Sequence, residues 1–158
     1  IFLRLNAGQN LVATKLREHT KWGMLARGRL RATAAKLAGA VGVDRTRLRS
    51  LADELSGGNQ QKLAFGRWIG GARPGVLLMN EPTRGVDVGA RAEIYRLIRA
   101  FCDRGYCIVM ASSDLEEVLG MADVVVSMYR GRQVGLYRRG EADMHCVLAD
   151  ITHPAAAA

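Results

Sequence analysis

Leu55, Ser56, Gly57 and Gly58 begin a segment, LSGGNQQ at residues 55–61, that could bind a phosphate at the start of a helix. The Ser56 hydroxyl can cap the predicted helix or bond a ligand oxygen. Gly57 and Gly58 lack side chains, so backbone N–H groups can approach an anion closely, and the helix N-terminus adds partial positive charge. Taken alone, these residues also fit an ordinary flexible helix start. The segment therefore indicates an anion site only together with a second motif.

In a second segment, VLLMNEPTRGVDVG at residues 76–89, polar residues directly follow a short apolar run. Polar residues at the carboxyl end of a strand in an open α/β sheet lie where ligands bind. Glu81 is placed there to orient or deprotonate an attacking water, and a solvated strand-end carboxylate is the alternative. Asp87 follows, and it can also cap the helix predicted over residues 88–102.

A third segment, MASSDLEEV at residues 110–118, follows another apolar run. Its first residues, Ser113 among them, therefore reach the same ligand edge. Acidic residues then begin a predicted helix at 114–119, where the helix dipole favours negative charge.

The elements that must position these segments alternate between helix and strand. The apolar runs at 76–79 and 107–110 are typical of strands buried on both faces. The remaining predicted elements are helices at 58–69 and 88–102 and strands at 124–126 and 133–137, the last entered through a turn at 130–132. This order predicts an α/β fold with a mostly parallel sheet and helices on both faces.

The front third of the chain is predicted to be helical. Asn6 and Gln9 can form a capping box for a helix that ends at about Arg17. A helical apolar stripe follows and is ended by Gly42; its members are Leu30, Ala34, Leu37, Ala38 and Val41. We expect a partial helical subdomain over 1–68, an α/β part over 69–140 and a C-terminal tail over 141–158, frayed at 154–158.

The charge of the chain is concentrated at its front. The net charge is +8, and residues 1–50 hold eleven lysine or arginine side chains against only Glu18 and Asp44. The other 108 residues hold twelve basic and thirteen acidic side chains. A positive patch indicates nucleic acid or lipid headgroups as a partner, and a solvated helical face is the alternative. No aromatic side chains interleave with these charges as a nucleic-acid platform would require.

Composition indicates a packed domain, with 49% hydrophobic residues. No apolar run approaches the roughly 20 residues that span a bilayer, and no leader pattern is visible. Because the first residue is Ile1 and not Met, we expect the remainder of a longer chain. Cys102, Cys107 and Cys146 fit no zinc pattern and are predicted to be reduced core cysteines.

Together, LSGGNQQK at 55–62 and VLLMNEPTRGVD at 76–87 resemble the rear part of an ATP-binding cassette (ABC) ATPase. The finer resemblance is to the second cassette of ribose- and xylose-type bacterial sugar importers, which has LSGGNQQK, EPTRGVDVGA, AEIY and then SSE or SSD. This chain has GARAEIY at 89–95 and SSD at 112–114. The resemblance covers about residues 50–137. It implies a P-loop NTPase-like, mostly parallel sheet with flanking helices, preceded by an α-helical subdomain.

The resemblance also implies a role for each motif. In that family the signature motif contacts the γ-phosphate of ATP held by the opposite cassette, the Walker B strand supplies a metal-binding aspartate and a catalytic glutamate, and the D-loop crosses the dimer interface. The matching positions are Leu55, Ser56, Gly57, Gly58, Asn59 and Gln60 of the signature, Asn80 and the catalytic Glu81 of Walker B, Asp87 of the D-loop, and Ser113 at the switch position.

Three departures from the family pattern weaken the predicted site. The phosphate-binding loop GxxxxGK[ST] is absent, which indicates truncation and an incomplete cassette. Asn80 replaces the usual aspartate, so it can contact Mg²⁺ through water but brings no charge. Ser113 replaces the histidine of most cassettes, although SSD fits the second-cassette pattern. We therefore expect the isolated chain to be inactive and the half-site of Glu81 to be slow in the parent protein.

The resemblance implies ATP and Mg²⁺ as cofactors of a carbohydrate importer. It implies a partner cassette that supplies Walker A, transmembrane permease subunits and, indirectly, a periplasmic sugar-binding protein. The expected location is peripheral, on the cytoplasmic face of the bacterial membrane. Two alternatives are a non-catalytic fragment that acts as an interaction module and the head of a nucleic-acid-associated ABC ATPase, although a nucleic-acid partner is not expected. The sugar itself is not predicted.

Overall fold

The computed structural model describes residues 1–69 and 75–152, which form two compact units. The first unit contains residues 1–78 and 82–109, and the second contains residues 79–81 and the chain from 110 onward. The helices are α1 (Ala7–Val12), α2 (Arg27–Val41), α3 (Gly57–Trp68), α4 (Val88–Cys102), α5 (Leu115–Met121) and α6 (Met144–Thr152), with short 3-10 helices at Arg17–His19, Arg45–Arg49 and Ala52–Glu54. The strands are β1 (Thr20–Lys21), β2 (Met24–Leu25), β3 (Val76–Asn80), β4 (Cys107–Ala111), β5 (Val124–Tyr129) and β6 (Arg132–Arg138).

Helix α1 begins at the predicted capping box but ends earlier than predicted. The Asn6 side chain accepts from the Gln9 N–H at 2.8 Å, and the Gln9 side chain accepts from the Asn6 N–H at 3.0 Å. The prediction of a helix to about Arg17 is wrong. After Val12 the backbone changes to tight bonds three residues apart, such as Lys15 N–H to Val12 carbonyl at 2.9 Å, so the α-helical pattern stops.

Helix α2 buries the face that carries the predicted apolar stripe. Ala34, Leu37, Ala38 and Val41 are buried, and only Leu30 is half-buried. The helix then ends at Gly42, whose φ of 68° is left-handed, and the predicted end of the stripe is confirmed.

Asn10 ties the start of the chain to α3. Its fully buried side chain donates to the carbonyls of Phe2, Leu5 and Asn6 at 2.9, 3.2 and 3.2 Å. Its oxygen accepts from the Phe2 N–H at 2.9 Å and from the Arg67 guanidinium at 2.8 Å. Burial lowers the pKa of Arg67. This network fixes α3, the helix that the signature segment begins.

Strands β3 and β4 pair with each other, but they are not buried on both faces as predicted. The Cys107 N–H donates to the Gly75 carbonyl at 3.1 Å, and the Glu81 N–H donates to the Ala111 carbonyl at 2.8 Å, so the two strands run in the same direction. Leu78 is 78% exposed and Val109 is 55% exposed. Alternate residues of each strand are half-buried and exposed, because successive side chains of a strand point to opposite faces.

The cysteines are not core residues, so that prediction is wrong. Cys102 is half-buried, whereas Cys107 and Cys146 are exposed, and all three are free thiols. Cys107 begins β4 on its exposed face, which an apolar run alone does not distinguish from the packed one.

In the second unit, β5 and β6 form an antiparallel hairpin through the predicted turn at Arg130 and Gly131. The segment predicted as a C-terminal tail contains α6, which contacts both strands. Asp150 of α6 accepts hydrogen bonds from the Ser127 hydroxyl and, at 2.7 Å, from the Tyr137 hydroxyl. These bonds lower the pKa of Asp150 and raise the pKa of Tyr137 to about 12. The predicted fraying at 154–158 lies outside the described residues.

Candidate functional site

The signature segment lies at the N-terminus of α3, as predicted. Ser56 is the N-cap, and its Oγ accepts from the Asn59 side-chain amide at 3.1 Å and, at 3.5 Å, from the Asn59 N–H. Ser56 and Gly57 are exposed, whereas Leu55 and Gly58 are buried. A 12-residue helix therefore presents a hydroxyl and an uncovered backbone at its positive end, where an anion is stabilised.

The two amide side chains of the signature bond within their own turn. Asn59 bonds Ser56, and the Gln60 side chain donates to the Leu55 carbonyl at 3.0 Å. These local bonds hold the bend between Leu55 and α3 in one conformation. Asn59 and Gln60 therefore shape the helix start, and Ser56 and Gly57 are left as the exposed contact surface for a ligand.

The signature glycines pack against the start of the next helix. A Cβ on Gly57 would lie 3.0 Å from the Gly85 carbonyl oxygen, and a Cβ on Gly58 would lie 2.9 Å from the Ala90 Cβ. Real Cβ atoms essentially never come closer than 3.0 Å to another heavy atom, so Gly58 admits no side chain without movement of a helix. The contact joins the signature to the D-loop within the first unit.

Asp87 caps α4, the helix that contributes this contact. Its carboxylate accepts from the Ala90 N–H at 2.9 Å. Further along, Lys62 of α3 forms an ion pair with Glu93 of α4 at 2.5 Å, and the hydrogen bond from Lys62 lowers the pKa of Glu93. The cap interpretation of Asp87 is confirmed, and its exposure leaves it accessible at the same time.

Glu81 and Ser113 meet in the second unit. The Glu81 carboxylate accepts from the Ser113 N–H at 2.9 Å and from the Ser113 hydroxyl at 3.3 Å. Glu81 also has a φ of 49°, a left-handed conformation that costs a non-glycine residue energy and clusters at functional sites. The half-buried carboxylate is therefore oriented by both its backbone and the switch residue.

Asn80 and Glu81 offer few ligands for a metal ion. Asn80 is exposed at the end of β3 and offers a neutral amide oxygen next to the Glu81 carboxylate. Across residues 1–69 and 75–152, no three histidine, cysteine, aspartate or glutamate side chains cluster as metal ligands. One carboxylate and one amide fit a Mg²⁺ ion that is held mainly by phosphate oxygens and water, and they do not fit an all-protein cage.

Two residues of the signature contact were missed by the sequence analysis. Gly85 and Ala90 provide the surface on which Gly57 and Gly58 pack. The only signal for this contact was the succession of small residues in GVDVGA. Small residues on both sides let two backbones approach closely, but the sequence does not show which segments meet.

No family model matches the chain. The chain is 38% identical over 148 residues to a putative ribose/galactose/methyl galactoside import ATP-binding protein of Geobacillus kaustophilus, and the match covers 94% of this chain and 29% of that protein. It is 39% identical over 157 residues to a ribose import ATP-binding protein of Streptomyces avermitilis, covering 99% of this chain and 31% of that protein. The chain is a homologue of bacterial sugar-import ATP-binding proteins. It spans less than a third of the length of these curated relatives.

Solved structures show the fold of this homologue. An ATP-binding cassette of an ABC transporter in its ADP conformation superposes with a TM-score of 0.70 at 18% identity, covering 97% of this chain and 61% of that one. A nucleotide-free cassette superposes with a TM-score of 0.75 at 19% identity, covering 92% of this chain and 62% of that one. The predicted α/β cassette fold is confirmed.

Proposed function

We propose that the chain is part of the ATP-hydrolysing component of an ABC-type carbohydrate importer and contributes its signature and D-loop to a composite ATP site. The observation that carries the proposal is the packing of Gly57 and Gly58 on Gly85 and Ala90, which leaves Ser56 exposed at the start of α3. The printed functions of the relatives, ribose and galactose import, support carbohydrate as the substrate class.

ATP would supply the transferable γ-phosphate, and Mg²⁺ would neutralise the charge that develops on it. The residues of this chain have defined tasks around that phosphate. Ser56 and the backbone at Gly57 would donate hydrogen bonds to it, and Asp87 would reach the opposite cassette. Glu81 would orient water, with Ser113 holding its carboxylate in place.

The two half-sites differ in the groups that this chain offers. The side chains of Asn59 and Gln60 bond within the signature turn, and the Ser56 hydroxyl and the Gly57 backbone stay exposed as donors. The start of the signature therefore suits a site whose phosphate loop comes from a partner cassette. The site of Glu81 has neutral Asn80 as its metal-side neighbour, which supports slow hydrolysis there. The same asparagine supports the second candidate function, a non-catalytic module that only completes the site of a partner.

We further infer a peripheral location on the cytoplasmic face of the membrane, next to permease subunits and, through them, a periplasmic sugar-binding protein. Across residues 1–69 and 75–152, no helix combines the length and apolar character needed to cross a bilayer. The division into a helical subdomain over 1–68, an α/β part over 69–140 and a tail over 141–158 stays a prediction.

The test is ATP turnover by the purified chain alone and by the chain mixed with a cassette that has an intact phosphate loop and an inactivated signature. Turnover only in the mixture supports donation of the signature in trans. Turnover by the chain alone contradicts the proposal, because no phosphate loop is present to hold ATP. Failure in both arms contradicts the donation of the signature, and with it both the proposal and the non-catalytic module, because the chain then completes no ATP site.

Two arginine variants make this test specific. Ser56→Arg places a bulky cation at the proposed phosphate contact and should abolish the turnover of the mixture. Gly28→Arg adds the same charge where a Cβ meets no atom within 4 Å, and it should leave turnover unchanged. Equal activity of both variants would remove the signature from the proposed mechanism.

A further inference from the structure

The hairpin of β1 and β2 carries an aromatic residue where a turn normally has a small polar one. Thr20 pairs with Leu25 and Lys21 pairs with Met24, so Trp22 and Gly23 form a two-residue turn. Their φ angles are 53° and 75°, the signs of a type I′ turn. Asparagine, aspartate and glycine are the usual residues at the first of these positions, and a bulky side chain there is an outlier.

The tip of this hairpin is also apolar and fully presented to solvent. Trp22 is 89% exposed, the highest value for a large apolar side chain among residues 1–69 and 75–152, and Met24 is 74% exposed. Exposed hydrophobic residues gathered at one place mark binding surfaces. A strained tryptophan that contacts little of its own chain therefore indicates a partner outside it.

The sequence around the tip is rich in positive charge. The exposed basic side chains between residues 17 and 31 are Arg17, Lys21, Arg27, Arg29 and Arg31. The one acidic side chain in that range is Glu18. The hairpin thus presents exposed apolar side chains within a basic segment of the chain.

We propose that the hairpin at residues 20–25 is an interfacial anchor that inserts Trp22 and Met24 into an anionic lipid surface. Tryptophan concentrates at membrane interfaces because its ring is apolar and its N–H can bond headgroups, and nearby lysine and arginine side chains attract anionic lipids. A nucleic-acid surface stacks bases on several aromatic side chains, whereas Trp22 is the one aromatic residue of the basic segment at residues 17–31. The centre of a protein interface is depleted in charged residues, whereas this tip lies within a basic segment of the chain.

The biological role of the anchor rests on the proposed function, since it would hold a transporter ATPase against its membrane. Vesicle binding itself needs no ATP, so a failure of ATP turnover and a failure of lipid binding are separate results.

The experiment measures binding of the full chain to vesicles of phosphatidylcholine with phosphatidylglycerol and to vesicles of phosphatidylcholine alone. In a Trp68→Phe background, Trp22 is the only tryptophan, and its emission should shift to the blue and be quenched by brominated lipid. Binding to the anionic vesicles should exceed binding to the neutral ones and weaken with salt. An unshifted emission in anionic vesicles would overturn the proposal.

Variants separate the hairpin from general stickiness. Trp22→Asn creates Asn-Gly, a preferred pair for this turn, and should weaken vesicle binding about tenfold through loss of the buried ring. Met24→Ser should weaken it in the same direction. Trp68→Ala removes another tryptophan, 65% exposed, and should bind as the parent does. Unchanged binding by Trp22→Asn, or an equal loss by Trp68→Ala, would refute the anchor.

Two further outcomes would assign the hairpin to another partner and overturn the lipid proposal. One is DNA retention that Trp22→Asn abolishes while vesicle binding is unaffected. The other is an absence of vesicle binding together with hairpin-dependent association with permease subunits in detergent.

Discussion

The contact between Gly58 and Ala90 predicts that a single methyl group at the signature destabilises the chain. In Gly58→Ala the new Cβ would lie 2.9 Å from the Ala90 Cβ and 3.8 Å from Val86 Cγ1. Both Cβ atoms are fixed to helix backbones and cannot rotate away. Either α3 or α4 must therefore shift.

The magnitude follows from two opposing terms. Overpacking of this kind costs typically about 2 kcal/mol. Replacing glycine by alanine in a helix returns about 0.5–1 kcal/mol. We expect a net loss of about 1 kcal/mol in the free energy of unfolding, and a fall in melting temperature of about 2–4 °C for a chain of this size.

A second substitution isolates the clash. Ala90→Gly alone should cost about 1 kcal/mol through helix propensity. In the double variant Gly58→Ala, Ala90→Gly the two methyl groups no longer meet, so the overpacking term disappears. The double variant should be more stable than the sum of the single effects predicts, by about 2 kcal/mol.

Urea unfolding followed by circular dichroism of the parent, both single variants and the double variant gives the coupling energy. Gly28→Ala is the matched control, because Gly28 is also the second residue of its helix and a Cβ there meets nothing within 4 Å. It should stabilise the chain slightly. A Gly58→Ala variant as stable as the parent, or strictly additive single effects, would refute the reasoning.

Two further predictions concern side-chain hydrogen bonds. The pKa of Tyr137 is about 12 in the folded chain, against 10.0 ordinarily. The stability from its bond to Asp150 should therefore be complete below pH 10 and be lost as the pH rises to about 12. Across this range the melting temperature should fall less steeply with pH in Tyr137→Phe than in the parent. Asn10→Leu leaves the Phe2 N–H and carbonyl and the Arg67 guanidinium without their bonds to residue 10, and should lower the free energy of unfolding by about 3 kcal/mol or more, as urea titration would show. The same dependence of melting temperature on pH in Tyr137→Phe and the parent would contradict the bond between Tyr137 and Asp150. A loss in the free energy of unfolding under about 1 kcal/mol in Asn10→Leu would contradict the network around Asn10.

Helix boundaries were predictable where local capping sets them. The helix over 88–102 was predicted with the bounds that α4 has, because Asp87 caps one end and an apolar face repeats along it. The capping box at Asn6 was predicted for the same reason. The hairpin at residues 20–25 was missed, since Trp22 is not a turn residue by type.

Burial was predicted less well than secondary structure. The runs at 76–79 and 107–110 were predicted to be strands buried on both faces, and the strands exist. Their exposed alternate residues, Leu78 and Val109 among them, show that an apolar run does not fix how many faces are packed. That depends on which other elements lie against the strand.

The sequence alone determined the motifs, the cassette family that they resemble and the caps at Ser56 and Asp87, because a cap joins atoms only three residues apart. Tertiary structure decided the contact of Gly58 with Ala90 and the bonds between Glu81 and Ser113, which are 32 residues apart in the chain. Such contacts depend on the packing and register of separate helices and strands. No local pattern of residues specifies that packing.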